Sequence, residues 1–346
     1  MKKFLAFALA LAMVFSLAAC GAENDAEEND YSNLRAVELI CADSAGEGSA
    51  GQLFGEFFAQ RVLEITDGKL TITYHPNGKL GGDLDLIGMT KANRIQMVVC
   101  QTAPVVSFVP ELAVFDLPMV FLGYDGEKID SVLNGRNEFS MRLGDAYEKA
   151  GFHLLGFLQD GTYRLTTSEK ALRTLDDFKG LRIRTMENDN QKAFWAALDA
   201  EPTALPWAEV YGALKNGTVD AQENAADTCY SASLQDVQGY LECTNHLLYC
   251  NQICINKDAW DSLDPAYQAA IEQAVSEAVA YMRPLLAEVD AYHKQKLVES
   301  GMELIEYDAA FYESILELDG VRALYYDINK NQTDGLAAIL MEELSK

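Results

Sequence analysis

"VELICADSAGEGSAGQLFGEFFAQRVLEITDGKLTITYHPNGKLGGDLDLIGMTKANRIQMVVC", residues 37–100, changes its hydrophobic period at each of its sub-segments. "VELICA" (37–42) is a short apolar run suited to a strand. The stretch after it places Phe54, Phe57, Phe58, Val62 and Ile65 on one helical face. "KLTITY" (69–74) alternates, with Leu70, Ile72 and Tyr74 on one side. "DLDLIGMTKANR" (83–94) returns to a helical pattern, and "IQMVVC" (95–100) reads as a buried strand. Strand, helix, strand, helix, strand is the signature of an α/β fold with a mainly parallel sheet covered by helices. Inside this unit Gly46, Gly48 and Gly51 form G-x-G-x-x-G at the entrance to the first helix. In a dinucleotide-binding turn, an acidic residue about 20 positions further on holds the ribose. Here the second strand ends in His75, Pro76 and Asn77, with no carboxylate at its tip.

Working outward, a second unit of the same kind starts near "FHLLGFL" (152–158) and "GLRIRTM" (180–186). It continues through helix "NQKAFWAALD" and a helix carrying Val210 and Leu214, closed at Gly217, to the strand "TVDAQ". Asp264 and Pro265 then supply the N-cap and first position of a long helix. It runs to about Ser300 and can break or kink at Pro284.

The N-terminus predicts export. Lys2 and Lys3 precede an apolar stretch from Phe4 to about Leu17, then "LAAC" ends at Cys20. The apolar run is shorter than the roughly 20 residues of a membrane span. "LAAC" resembles a bacterial lipobox, which makes residues 1–19 a lipoprotein signal peptide and Cys20 the lipidation site. "GAENDAEEND" (21–30) is polar and acidic, so residues 20–33 read as a tether. An exported chain has no access to NAD(H) or ATP pools, which removes the usual ligand of the glycine pattern.

Without residues 1–19 the chain keeps 25 basic and 53 acidic residues, a net charge of −28. That balance argues against nucleic acid and against an anionic membrane surface as partners. The remaining cysteines, at 41, 100, 229, 243, 250 and 254, sit mostly in apolar contexts and read as buried thiols, although disulfides are compatible with export. None has zinc-ligand spacing, so no metal and no other cofactor is expected.

Catalytic patterns such as H-E-x-x-H, G-x-S-x-G and the Walker loop are missing, and the four histidines are scattered. The informative residues are arginines. In "GLRIRTMEN", Leu181 and Ile183 share one strand face, Arg182 and Arg184 the other. An arginine at the C-terminal end of such a strand lies where open α/β sheets place ligands, and guanidinium grips a carboxylate through two parallel donors. Spacing alone favours reading both arginines as solvated edge residues. Arg164 in "DGTYRLTT" carries the same ambiguity.

"DFKGLRIRTMENDNQKAFWAALDAEPTALPWAEVYGALKNGTVDAQEN" (177–224) closely resembles the core of the TRAP-transporter solute-binding proteins. So does "HPNGKLGGDLDLIGMTKANRIQMVVCQTAPVVSFVPELAVFDLPMVF" (75–121), and the likeness covers nearly all of residues 36–305. The resemblance implies a two-lobed periplasmic-binding-protein (Venus flytrap) fold, with hinge strands and a long helix bracing both lobes. Lobe 1 would comprise residues 34–162 with about 251–283, and lobe 2 residues 163–250 with about 284–346. It implies a receptor for a small organic acid that delivers its ligand to a membrane permease, a sugar acid being favoured over C4-dicarboxylates, 2-oxo acids and aromatic acids. A ligand-sensing binding protein and an exported enzyme are the rival readings. Arg184 matches the family arginine that pairs with the ligand carboxylate. Asn224 matches an asparagine bonding the same group, Arg164 a second cleft arginine, and Trp207 an aromatic position against the ligand body. Glu47, Gln101 and Thr102 fall on cleft loops as further polar contacts. Two departures from the family pattern stand out: Ala225 follows Asn224 where proline is frequent, and Trp207 is bulkier than the usual residue.

Overall fold

The computed structural model describes residues 31–159 and 161–346; the leader and most of the tether, including Cys20, lie outside the described residues. The strands are β1 (Val37–Ala42), β2 (Leu70–His75), β3 (Met97–Gln101), β4 (Phe152–Leu158), β5 (Leu165–Ser168), β6 (Arg182–Thr185), β7 (Glu201–Ala204), β8 (Ala221–Asn224), β9 (Tyr240–Glu242), β10 (Asn251–Asn256) and β11 (Glu303–Ile305). They form two sheets, ordered β2-β1-β3-β10-β4 and β11-β9-β5-β8-β6-β7.

Each sheet has a parallel part, as the alternation of strands and helices requires. β1 pairs in parallel with β2 and β3, and β6 with β7 and β8. Both sheets are nevertheless mixed. β10 enters the first sheet antiparallel to β3 and β4, and β5 pairs antiparallel with β8 and β9. The chain leaves the first sheet after β4 and returns through β10 in the opposite sense. The two crossing segments run side by side: Tyr163 bridges Leu248, Arg164 N–H donates to Leu247 O at 2.8 Å, and Tyr249 N–H donates to Thr162 O at 3.0 Å.

The helices that matter for the site are α1 (Ala50–Ile65), α2 (Asp83–Lys91), α3 (Asp189–Ala197), α4 (Trp207–Lys215), α5 (Ala226–Ser231) and α6 (Pro265–Glu299). Ser49 caps α1 by accepting from Gln52 N–H, and the helix buries Phe54, Phe58 and Val62 at successive turns. Asp264 caps α6 through Ala266 N–H, and α6 stays helical through Pro284. Its first half packs on α1 and its second half on α5.

One apolar core runs through both layers, joining Val98, Phe115 and Phe157 to Ile183, Phe194 and Trp195. It also takes in Leu336, Leu340 and Leu344 of the last helix, Leu336–Ser345. That helix packs on the helices at 126–133 and 138–150, beside the first sheet. This corrects the expectation that residues 284–346 all go with lobe 2. The helix buries its apolar stripe where Phe139, Leu143 and Tyr147 offer a matching face. Six cysteines, 41, 100, 229, 243, 250 and 254, are buried free thiols.

Candidate ligand-binding cleft

A cleft opens at the C-terminal ends of the parallel strands of both sheets. From the first sheet come the loop after β1 (Ser44, Ala45, Gly46, Ser49, Gly51), Asp83 at the start of α2, and Cys100 and Gln101 of β3. From the second come Arg184, Met186, Trp207, Asn224 and Thr228, while Tyr249 belongs to a crossing segment and Asn251 opens β10 of the first sheet. Strand ends are where an open α/β sheet leaves room for a ligand, because the loops there splay apart.

Arg184 is 2 % exposed. Its Nε and Nη2 both donate to Leu205 O, at 2.9 and 2.6 Å, which fixes the plane of the guanidinium. Nη1 is buried and has no partner. The guanidinium carbon lies 5.7 Å from the centre of the Trp207 ring, within cation–π range. Burial pushes Arg184 down to about 10; Glu223 opposes this and Arg164 adds to it. The cleft therefore holds a desolvated cation with donors left over, which is the electrostatic complement of an anion.

Arg182 shares the strand face by alternation but is exposed, held by Asp220, with Nε 2.9 Å from Oδ2. Asn224 ends β8 nearly buried, and its Oδ1 accepts from Ala225 N–H at 3.2 Å. The departure from proline at position 225 thus supplies a donor that orients the Asn224 amide.

Arg164 does not line the cleft. Its Nε and Nη2 form a forked pair with the Glu223 carboxylate, Nη2 also reaches Glu223 O, and Nη1 donates to Gln101 Oε1 at 3.0 Å. Burial would raise Glu223, but Arg164 and His246 overcome it and hold the carboxylate at about 2. An internal carboxylate thus occupies the fork that the sequence reading reserved for the ligand. Arg164 reaches the cleft through Gln101, which in turn donates from Nε2 to Asn251 Oδ1 at 2.8 Å.

Trp207 and Gln101 line the cleft as the sequence reading placed them; Glu47 and Thr102 do not. Glu47 points to solvent because the backbone turns at Gly48 (φ +77°), and Thr102 is buried under the loop with its N–H bonded to Cys250 O. Their places are taken by Ser44, Ser49 and Asp83, with Ser44 Oγ donating to the Asp83 carboxylate. Burial raises Asp83, against Ser44, Arg184 and Arg164. The glycine loop serves close approach: a Cβ on Gly46 would lie 3.8 Å from Trp207 Nε1, and one on Gly51 3.4 Å from Ala45 Cβ.

The profile of the DctP family, bacterial extracellular solute-binding proteins of family 7, matches residues 42–318. The chain is similar to the 2,3-diketo-L-gulonate-binding periplasmic protein YiaO of Escherichia coli K12, with 28% identity over 79% of this chain and 82% of that protein. A TRAP periplasmic solute-binding protein from Desulfovibrio salexigens, solved with orotic acid, shares the fold at a TM-score of 0.84 and 24% identity, covering 89% of this chain and 98% of that one. The sugar acid binding protein DctPAm of Advenella mimigardefordensis, solved with galactonate, superposes at 0.81 with 26% identity, over 89% and 99% of the two chains. A two-sheet fold with its cleft at the strand ends, matched by this profile over most of its length, belongs to the TRAP-transporter solute-binding proteins of the DctP family.

Proposed function

We propose that the chain captures a sugar acid in this cleft and hands it to a TRAP membrane permease. The observation that carries the ligand chemistry is Arg184: a buried guanidinium, pinned by Leu205 O, with Nη1 unpartnered. A carboxylate there would gain charge-assisted bonds from donors already desolvated, with little further ordering. Asn224 would bond the same carboxylate. Ser44, Ser49, Asp83, Thr228 and Asn251 offer hydroxyl partners for a polyol body, and Trp207 an apolar wall beside it. The galactonate-bound and diketogulonate-binding relatives support the same class. Arg164 acts behind the cleft, holding Gln101 and Glu223 in place. Lobe 1 is built on the first sheet and lobe 2 on the second, and closure of the two around the ligand would seal it from water.

We further infer that Cys20 carries a lipid that holds the receptor at the outer face of the cell membrane, with residues 21–30 as the spacer. Titration calorimetry with D-galacturonate, D-glucuronate, D-galactonate, succinate, malate and orotate tests the ligand class. Binding of a hexuronate or aldonate, without turnover, supports the reading. Preferential binding of succinate, malate or orotate overturns it.

A further inference from the structure

Asp227 lies behind the cleft wall, bonded to Thr228, and it joins the two sheets. It sits in the first turn of α5, behind the strand end that carries Asn224, and is 4 % exposed. Its Oδ1 accepts from Thr228 N–H at 2.6 Å and from Thr228 Oγ1 at 3.1 Å. Its Oδ2 reaches across to the backbone N–H of Ala50 at 3.4 Å. Ala50 is the first residue of α1, a 16-residue helix on the first sheet, so the carboxylate lies against the positive end of that helix. The contact is long for a hydrogen bond, and much of its attraction is between charge and helix terminus.

The neighbouring geometry fixes which bodies the contact connects. α5 is anchored to the second layer: Ala226 and Cys229 pack with Leu165, Leu241 and Leu297. Its own first N–H groups are capped by Asp290 of α6, which accepts from Ala226 at 3.0 Å and from Asp227 at 3.4 Å. α1 lies on the first sheet, and the loop before it meets the second layer once more, where a Cβ on Gly46 would lie 4.0 Å from Ser231 Oγ of α5. The α1–α5 contact therefore exists only while the two sheets are as close as they are here.

We propose that Asp227 is a latch for the closed cleft. Its carboxylate binds the N-terminus of α1 when the lobes approach, biases the ligand-free receptor toward closure, and so tunes affinity without touching ligand. A ligand that requires the closed state has its apparent dissociation constant divided by the fraction already closed.

The test needs no ligand, so it fails or succeeds independently of the sugar-acid reading. Spin labels at Lys91→Cys on α2 and Lys215→Cys on α4, both exposed, report the separation of the lobes by pulsed dipolar spectroscopy on the full chain; the six described native thiols are buried. The latch requires a short-distance population in the otherwise unaltered protein that falls about three- to tenfold in Asp227→Ala. Asp227→Asn keeps an acceptor oxygen and loses the charge. Ala50→Pro removes the N–H while suiting the first helical position, where the preceding Ser49 is already extended. Each should produce part of the Asp227→Ala shift. No short-distance population in the parent, or one that all three variants leave unchanged, overturns the proposal. A lower melting temperature with an unaltered distance distribution does so too, since it assigns Asp227 a structural role alone.

Discussion

Replacing Arg184 separates ligand binding from folding, because this side chain is a liability to the empty protein. Burial lowers its pKa from the ordinary arginine value to about 10. At 1.36 kcal/mol per pH unit that displacement disfavours the charged form by roughly 3 kcal/mol. Two donors to Leu205 O return part of this, and Nη1 returns none. A bound carboxylate offsets the remainder. Arg184→Ala should therefore weaken binding of the acid by the amount typical for truncating one partner of a buried charge pair, about 2–5 kcal/mol, or roughly 30- to several-thousand-fold. Arg184→Lys keeps the charge but replaces a planar fork with a point charge on a flexible stem, and should lose affinity as well. Arg184→Met, apolar and of similar length, should abolish tight binding while leaving the ligand-free melting temperature unchanged or raised. Calorimetric titration of the four proteins with the best-bound acid, with melting curves taken without ligand, measures both quantities. If Arg184→Lys and Arg184→Ala fold and bind within about threefold of the parent, less than about 0.7 kcal/mol, Arg184 does not hold the carboxylate.

Trp207 stacks beside Arg184 at the cleft wall, so its emission should change on binding, and Trp207→Ala should lower affinity with the melting temperature preserved; a silent Trp207 removes it from the site. Glu223→Gln leaves the buried Arg164 fork half-paired, and breaking such a pair by removing one partner should destabilise the fold by about 3–5 kcal/mol, seen as a lower denaturant midpoint. Glu242 is buried with Oε2 unpartnered, and burial raises it to about 7 against the Ser168 hydroxyl. Since the folded state holds this proton more tightly than the unfolded chain, its contribution is complete below about pH 4.5 and fades as pH rises through about 7. Glu242→Gln should flatten that slope and be more stable than the parent at pH 8, by up to roughly 3 kcal/mol; parallel pH–stability curves would refute it. Cys20→Ala should move the protein from the membrane to the soluble fraction or leave its leader uncleaved, and mass spectrometry of the N-terminal peptide checks for the lipid.

Periodicity exposed the elements but not their partners. Residues 37–100 could be read as strand and helix in turn because side-chain period is a local property. The seat of β10 between β3 and β4 depends on a segment some 150 positions away, and nothing in "NQICIN" announces it. Alternation likewise put Arg182 and Arg184 on one face, yet depth along the strand decides between them. Arg182 lies at the rim with Asp220, and Arg184 ends under Trp207. Arg164 fitted a cleft role until its fork met Glu223, an acid one residue before Asn224 and indistinguishable by type from the other 52 acidic residues. Asp83 was hidden among them for the same reason. In the loop after β1 the side-chain directions follow backbone angles such as φ +77° at Gly48, which put Glu47 outside and Ser49 inside.

The 35-residue α6 has a mechanical consequence. At 1.5 Å per residue it is a rod of about 50 Å. Arg283 clamps it to Asp130 beside the first sheet at 2.8 Å, and Asp290, two turns later, clamps it to α5 on the second. A stiff rod bolted to two bodies resists their relative rotation unless it flexes between the bolts. Between them lies Pro284, which has no N–H for the preceding turn, so the bending compliance is greatest there. Were the two sheets to rotate about the cleft, the strain would concentrate in that turn, because the hydrogen bond that would stiffen it is missing.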